Sequence, residues 1–251
     1  MTEEKELLAK RFLELDRKAY SNLYFTFTDF LGLMEQSVFS ETVGKLRGKH
    51  EVFGGVFGAE RVMIRFGDPE EIGYDVPFPI SCLLIEPKSQ KFADKLTHRD
   101  FLGALINLGI ERDTLGDIVV KDNRAYVFAT SEMAEYIKRE LTRVAKTDVT
   151  VTATDTLPEG ELYTKERLRV QVSSVRLDAI IARVFHLSRD DAQSLFAKHL
   201  VFHNGKEATS ASYCPKVGEA VTVRGRGRFI YLGEAGMSKK GKLNLEIEVY
   251  K

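Results

Sequence analysis

The sequence is poor in cysteine, tryptophan and proline: its 251 residues hold two Cys, no Trp and six Pro. Cys82 and Cys214 lie far apart and neither has a CxxC partner, which argues against a disulfide framework or a zinc cluster and favours a reducing cytoplasm. No apolar run approaches the roughly 20 residues that span a bilayer, so membrane insertion is not expected. The opening MTEEKELLAKRFLEL is acidic and amphipathic, unlike a secretory leader. HExxH, GxSxG, a Walker loop and a cofactor-binding glycine turn are all missing. GGVFG at 54–58 has neither the GxGxxG order nor a closing Gly-Lys-Ser/Thr. No cofactor and no metal site is expected. The i, i+4 pair His199 and His203 straddles a helix-to-strand change and makes a poor ligand pair.

Net charge is also missing, since 37 Lys+Arg offset 37 Asp+Glu. The balance conceals an asymmetry. Thr164–Lys251 carries 16 basic and 9 acidic side chains, net +7, and the rest of the chain is net −7. A basic end on an acidic body suggests that the C-terminal third meets a polyanion, nucleic acid or membrane phosphate. A hydrophobic fraction of 43% and a charged fraction of 29% suit a folded chain with a sizeable core.

The pattern reads as α+β in three small domains, 1–75, 76–157 and 158–251. In the first, Leu7, Leu8, Phe12, Leu15 and Ala19 recur at helical spacing. A second helix is expected over Leu33–Leu46, and His50–Phe66 reads as two strands around glycines. Residues 67–79 (GDPEEIGYDVPFP) read as a linker. The second domain runs strand Ile80–Glu86, helix Thr97–Leu108, strands Asp117–Val120 and Ala125–Ala129, helix Ser131–Thr142 with Ser131 as its cap, and strand Asp148–Thr154. That β-α-β-β-α-β order is ferredoxin-like, the topology of RNA-recognition motifs. Tyr126 and Phe128 share a strand face and suit either base stacking or core packing; the RNP1 signature is missing.

The informative stretch is Val175–Val223. Leu177, Ile180, Ile181 and Val184 mark the buried stripe of a short helix. Ser188 caps a second helix with Asp191 in a capping-box position, and Asn204-Gly205 is a strong hairpin signal. The run R-L-D, S-R opening the next helix, V-x-x-N-G-K and K-x-G-E resembles the alpha-L RNA-binding motif, named after small-subunit ribosomal protein S-four. Asp190-Asp191 departs from many relatives, which carry basic or neutral residues there. The resemblance implies that Arg189, at a helix N-terminus, forks phosphate oxygens, with Arg176, Arg183, Ser188, Gln193 and Lys198 extending the contact. His203, Asn204 and Lys206 form a second wall. A solvated face is an equal reading for Arg183 or Lys198 taken singly. Arg224, Arg226 and Arg228, spaced by glycines, suit a phosphate track.

Across the whole chain, the three-block order and the run HRDFLGALINLGI…LGDI resemble the YlmH family of bacterial cytoplasmic RNA-binding proteins. The resemblance implies binding to structured ribosomal or transfer RNA on the large ribosomal subunit, with a role in ribosome quality control or cell division and a division protein as a further partner. A competing expectation is an RNA-modifying enzyme whose C-terminal domain delivers RNA to a site in the first two domains. Arg176-Leu177-Asp178 matches the R-L-D of pseudouridine synthases, yet Asp178 falls inside the small helical module, where a helix-start role accounts for it.

Overall fold

The computed structural model of the protein describes residues 3–155, 157 and 162–250. The chain divides into two units, Met1–Leu162 and Tyr163–Lys251. In the first unit the helical stripe forms α1 (Glu3–Asn22), with Phe12 and Ala19 buried. A short strand β1 (Thr26–Phe27) leads to α2 (Leu33–Thr42), whose expected last turn tightens into a 3-10 turn over Val43–Lys45. Two further strands, β2 (His50–Phe53) and β3 (Met63–Phe66), pair antiparallel, and the sheet order is β1-β3-β2. Phe12, Phe39, Ile64 and Phe66 build the core between helices and sheet. Buried Asp16 on α1 accepts from the backbone N–H groups of Arg47 (2.9 Å) and Gly48 (3.0 Å), which fixes the loop after the 3-10 turn.

The segment read as a linker is structured. Asp68 caps α3 (Pro69–Ile72) by accepting from the Glu70 N–H, with Pro69 at the first helical position. Farther on, Asp75 pairs with Arg65, whose guanidinium lies over the rings of Phe25 and Phe78.

The ferredoxin-like expectation is met. β4 (Ile80–Pro87), α4 (His98–Asn107), β5 (Leu115–Lys121), β6 (Arg124–Thr130), α5 (Ser131–Glu140), β7 (Arg143–Val144) and β8 (Thr147–Ala153) follow in order. The sheet runs β5-β6-β4-β8-β7, antiparallel throughout, with the two-residue β7 as an added edge. Asp100 starts α4 by accepting from the Thr97 N–H (2.8 Å) and hydroxyl (2.7 Å). The cap of α5 is Thr130, not Ser131: its Oγ1 accepts from the Met133 N–H, and Ser131 is the first helical residue. Alternation splits the sheet. Leu83, Ile85, Ala125, Val127 and Ala129 face α4 and α5 in one core. Cys82, Leu84, Tyr126 and Phe128 point the other way, against Phe30, Met63 and Leu162.

The second unit is a six-stranded antiparallel sheet, order β11-β10-β12-β13-β14-β9, with two helices. Its elements are β9 (Lys165–Val172), α6 (Leu177–Val184), α7 (Arg189–Ala197), β10 (Val201–His203), β11 (Lys206–Glu207), β12 (Ala220–Val223), β13 (Gly227–Met237) and β14 (Leu243–Tyr250). The apolar stripe of α6 and Ala192, Leu195 and Phe196 of α7 close over Val201, Val221, Phe229 and Leu245. β9 was not foreseen; it pairs along its whole length with β14. No helix among the described residues is long and apolar enough to cross a membrane.

Candidate nucleic-acid interface

On the central sheet of the first unit, the face that RNA-recognition motifs offer to bases is covered. Phe128 is 1% exposed and Tyr126 8%, so the packing reading of this pair holds. The cover is specific. Gly55 has φ of +90°, and a Cβ there would lie 2.4 Å from Phe128 Cδ1. A Cβ on Gly116 would meet Phe30 at 2.7 Å and Phe128 at 2.9 Å. Arg61 bolts the two blocks together: Nε donates to the Leu115 carbonyl (2.8 Å), and one terminal nitrogen donates to the carbonyls of Phe30 (2.9 Å) and Arg112 (3.0 Å). The Asp117 carboxylate accepts from the N–H groups of Glu60 (2.7 Å) and Arg61 (2.9 Å). Burial, with the charge of Arg61 beside it, pulls Arg112 down to about 10. Asp113 and Asp117 therefore serve the junction: the Asp113 carbonyl receives the Phe30 N–H at 2.7 Å.

In the second unit the twelve candidate side chains fall into distinct settings. Arg176, at the cap position of α6, grips Asp178 through Nε (3.1 Å) and a terminal nitrogen (2.9 Å). Gln193 reaches the same carboxylate from α7 at 3.4 Å. Asp178 is 2% exposed and also accepts from the Ala179 N–H at 2.8 Å. Burial pushes this carboxyl upward, but the bonds from Arg176, Gln193 and Ala179 outweigh it and hold Asp178 below the usual carboxylate range. The R-L-D aspartate thus ties the start of α6 to α7. Ser188 accepts from the Asp191 N–H (3.0 Å) and donates to its carboxylate (2.6 Å), capping α7 as the spacing predicts. Arg189 is exposed at the first position of that helix.

The hairpin wall is built by backbone geometry. Asn204 (φ +46°) and Gly205 (φ +76°) make the turn between β10 and β11, both with positive φ as a type I′ turn requires. Asn204 Oδ1 accepts from the Ala220 N–H at 2.9 Å, which locks the turn to β12. His203 stacks on Tyr213 with centroids 4.6 Å apart, and burial lowers its pKa. His199 bonds Glu207 through Nδ1, so the two histidines face different partners. Lys206 is exposed.

A third group lies at the other end of β10 and β12. Arg224 donates its N–H to the Leu200 carbonyl (2.8 Å), which brings the Arg224-Gly-Arg226 turn beside the end of α7 and Lys198. Phe185, closing α6 after Arg183, lies 6.1 Å from Phe229 and 3.5 Å from where a Gly227 Cβ would stand. Arg183, Lys198, Arg224 and Arg226 are exposed and make no ion pair among the described residues. Arg228 instead lies over the Tyr250 ring at 4.9 Å. Cations on β9 are spent differently: Arg169 pairs with Glu246 at 3.0 Å and Lys165 with Glu248 at 3.6 Å. Alternation in KERLRVQV was the signal for this strand.

Residues 76–157, the ferredoxin-like sheet and its helices, match the family profile described as "Putative RNA-binding domain in YlmH". Over 247 residues the chain is 28% identical to "Ribosome-associated protein quality control protein P2" of Bacillus subtilis (strain 168), covering 94% of this chain and 91% of that protein. Among solved structures, "Cell division protein ylmH from Streptococcus pneumoniae" aligns with a TM-score of 0.47 and 23% identity, over 61% of this chain and 93% of that one. A match to the YlmH-type putative RNA-binding domain is thus set inside a near full-length resemblance to the Bacillus protein.

Proposed function

We propose that the chain is a non-enzymatic RNA-binding factor of the cytoplasm that works on the ribosome, as the name of its Bacillus relative says of that protein. In this reading residues 158–251, with their alpha-L-like motif, grip structured ribosomal or transfer RNA on the large subunit. The observation that carries it is the set of exposed cations that make no ion pair among the described residues: Arg183, Arg189, Lys198, Lys206, Arg224 and Arg226. Folded RNA is recognised through phosphates and 2′-hydroxyls, which fixed cations and helix N-termini suit. Arg176, Ser188, Gln193, Asn204 and Arg228 then act by holding the module in shape. Asp178, the one residue with a catalytic analogy, already accepts four hydrogen bonds in the start of α6, which favours the non-enzymatic reading. The test is co-sedimentation of the full chain with ribosomal subunits, wild type against Arg189→Ala/Arg224→Ala/Arg226→Ala. Loss of the variant from the ribosomal pellet is expected; equal pelleting overturns the assignment.

A further inference from the structure

A cavity of about 370 Å³ opens beside the start of β4 in the first unit, lined by Phe53, Gly55, Phe78, Cys82, Phe128 and Asp155 among others. The rings of Phe53 and Phe78 meet at 5.5 Å and 58°, forming a tilted aromatic wall. Phe53 keeps 39% of its surface exposed although it is a large apolar side chain. The glycine turn lets backbone lie directly on Phe128 and form the floor. Burial, with the Asp155 charge nearby, raises the Cys82 thiol to about 12, so it stays a neutral, unreactive wall. Asp155 is exposed at the rim, and its carboxylate makes no ion pair among the described residues.

We infer that this cavity takes one unstacked guanine base of an RNA strand; the inference rests on the RNA-binding reading above. The usual stacking face of such a sheet is closed here by the N-terminal block, so a base must find aromatic surface elsewhere. This cavity offers it where Phe53 and Gly55 of the N-terminal block meet the segment that matches a putative RNA-binding domain. Unpaired bases are held by aromatic contact and by hydrogen bonds to their Watson–Crick edge. A carboxylate only accepts. Guanine alone presents two adjacent donors, N1–H and N2–H, which match two carboxylate oxygens. The same turn presents Phe57, 89% exposed, as a second ring for a flanking base.

The test uses the full chain and fluorescein-labelled single-stranded octamers of uridine with one central G, A, C or U, read by fluorescence anisotropy. Octamers with G are expected to bind roughly tenfold tighter than oligo-U. Asp155→Asn abolishes that preference, because an amide cannot accept at both positions. Phe53→Ala weakens the G octamer by about tenfold. Four octamers of equal affinity, or a G preference that survives Asp155→Asn, overturn the inference. Ribosome co-sedimentation run in parallel separates the two readings: normal pelleting without G preference removes the pocket alone, and loss of both removes the RNA reading as well.

Discussion

Neutralising Arg224 and Arg226 together tests the cationic turn quantitatively. Both are exposed, neither makes an ion pair among the described residues, and the turn they occupy is held by backbone bonds to Leu200 and Val223 rather than by their side chains. Arg224→Ala/Arg226→Ala should therefore leave stability within about 0.5 kcal/mol. Each phosphate contact steepens the fall of log K against log salt by about 0.9 on a duplex, so losing two lowers the slope by about 1.8. Doubling the salt then costs the wild type about 3.5-fold more affinity than it costs the variant. The assay is anisotropy with a labelled ribosomal RNA hairpin between about 0.1 and 0.2 M salt, a range in which counterion release dominates. Arg169→Ala is the control: that arginine is paired with Glu246 at 3.0 Å, and its loss should move the slope far less. Equal slopes for wild type and double variant, with both proteins folded, would refute phosphate contact at the turn.

Further expectations concern the scaffold. Gly55→Ala places a methyl group 2.4 Å from Phe128 at a φ of +90°, and should cost about 1–3 kcal/mol, seen as a fall in Tm; an unchanged Tm contradicts the closed sheet face. Ser188→Ala removes the cap of α7 and should cost about 1 kcal/mol without altering the salt slope, measured by urea unfolding. Asp178 titrates lower in the folded than in the unfolded chain, so its stabilisation is complete above about pH 4 and disappears as pH falls through the depressed folded value. The gap in Tm between wild type and Asp178→Asn should accordingly be widest near neutral pH and close in acid; a gap that widens in acid reverses the assigned sign. Arg61→Met leaves the carbonyls of Phe30, Arg112 and Leu115 short of a donor and should cost about 2–4 kcal/mol in the same unfolding assay.

Local signals carried much of the fold. The Asn204-Gly205 turn, the Ser188 cap and the alternating strands are decided by neighbours within a few residues, and so can be read from spacing. The closed sheet face could not be. Tyr126 and Phe128 alternate in the same way whether they await a base or a core, and Gly55, more than seventy residues earlier, decides between the two. The fate of Arg176 and Gln193 was equally hidden. Asp178 takes Arg176 from two residues away, so charge counting scores a spent cation as available, and only the packing of α7 on α6 brings Gln193 to the same carboxylate. The α5 cap fell one residue early because Thr130 and Ser131 carry the same capping chemistry, and only the backbone path selects Thr130.

The bolt between Arg61, Asp117 and the glycine-floored sheet has a practical corollary. A gene fragment encoding 76–157 alone would leave the greasy side of its sheet naked, with Leu84, Tyr126 and Phe128 stripped of their lid. Such a polypeptide should clump rather than display a recognition surface, so the smallest soluble piece carrying this fold begins at the first helix.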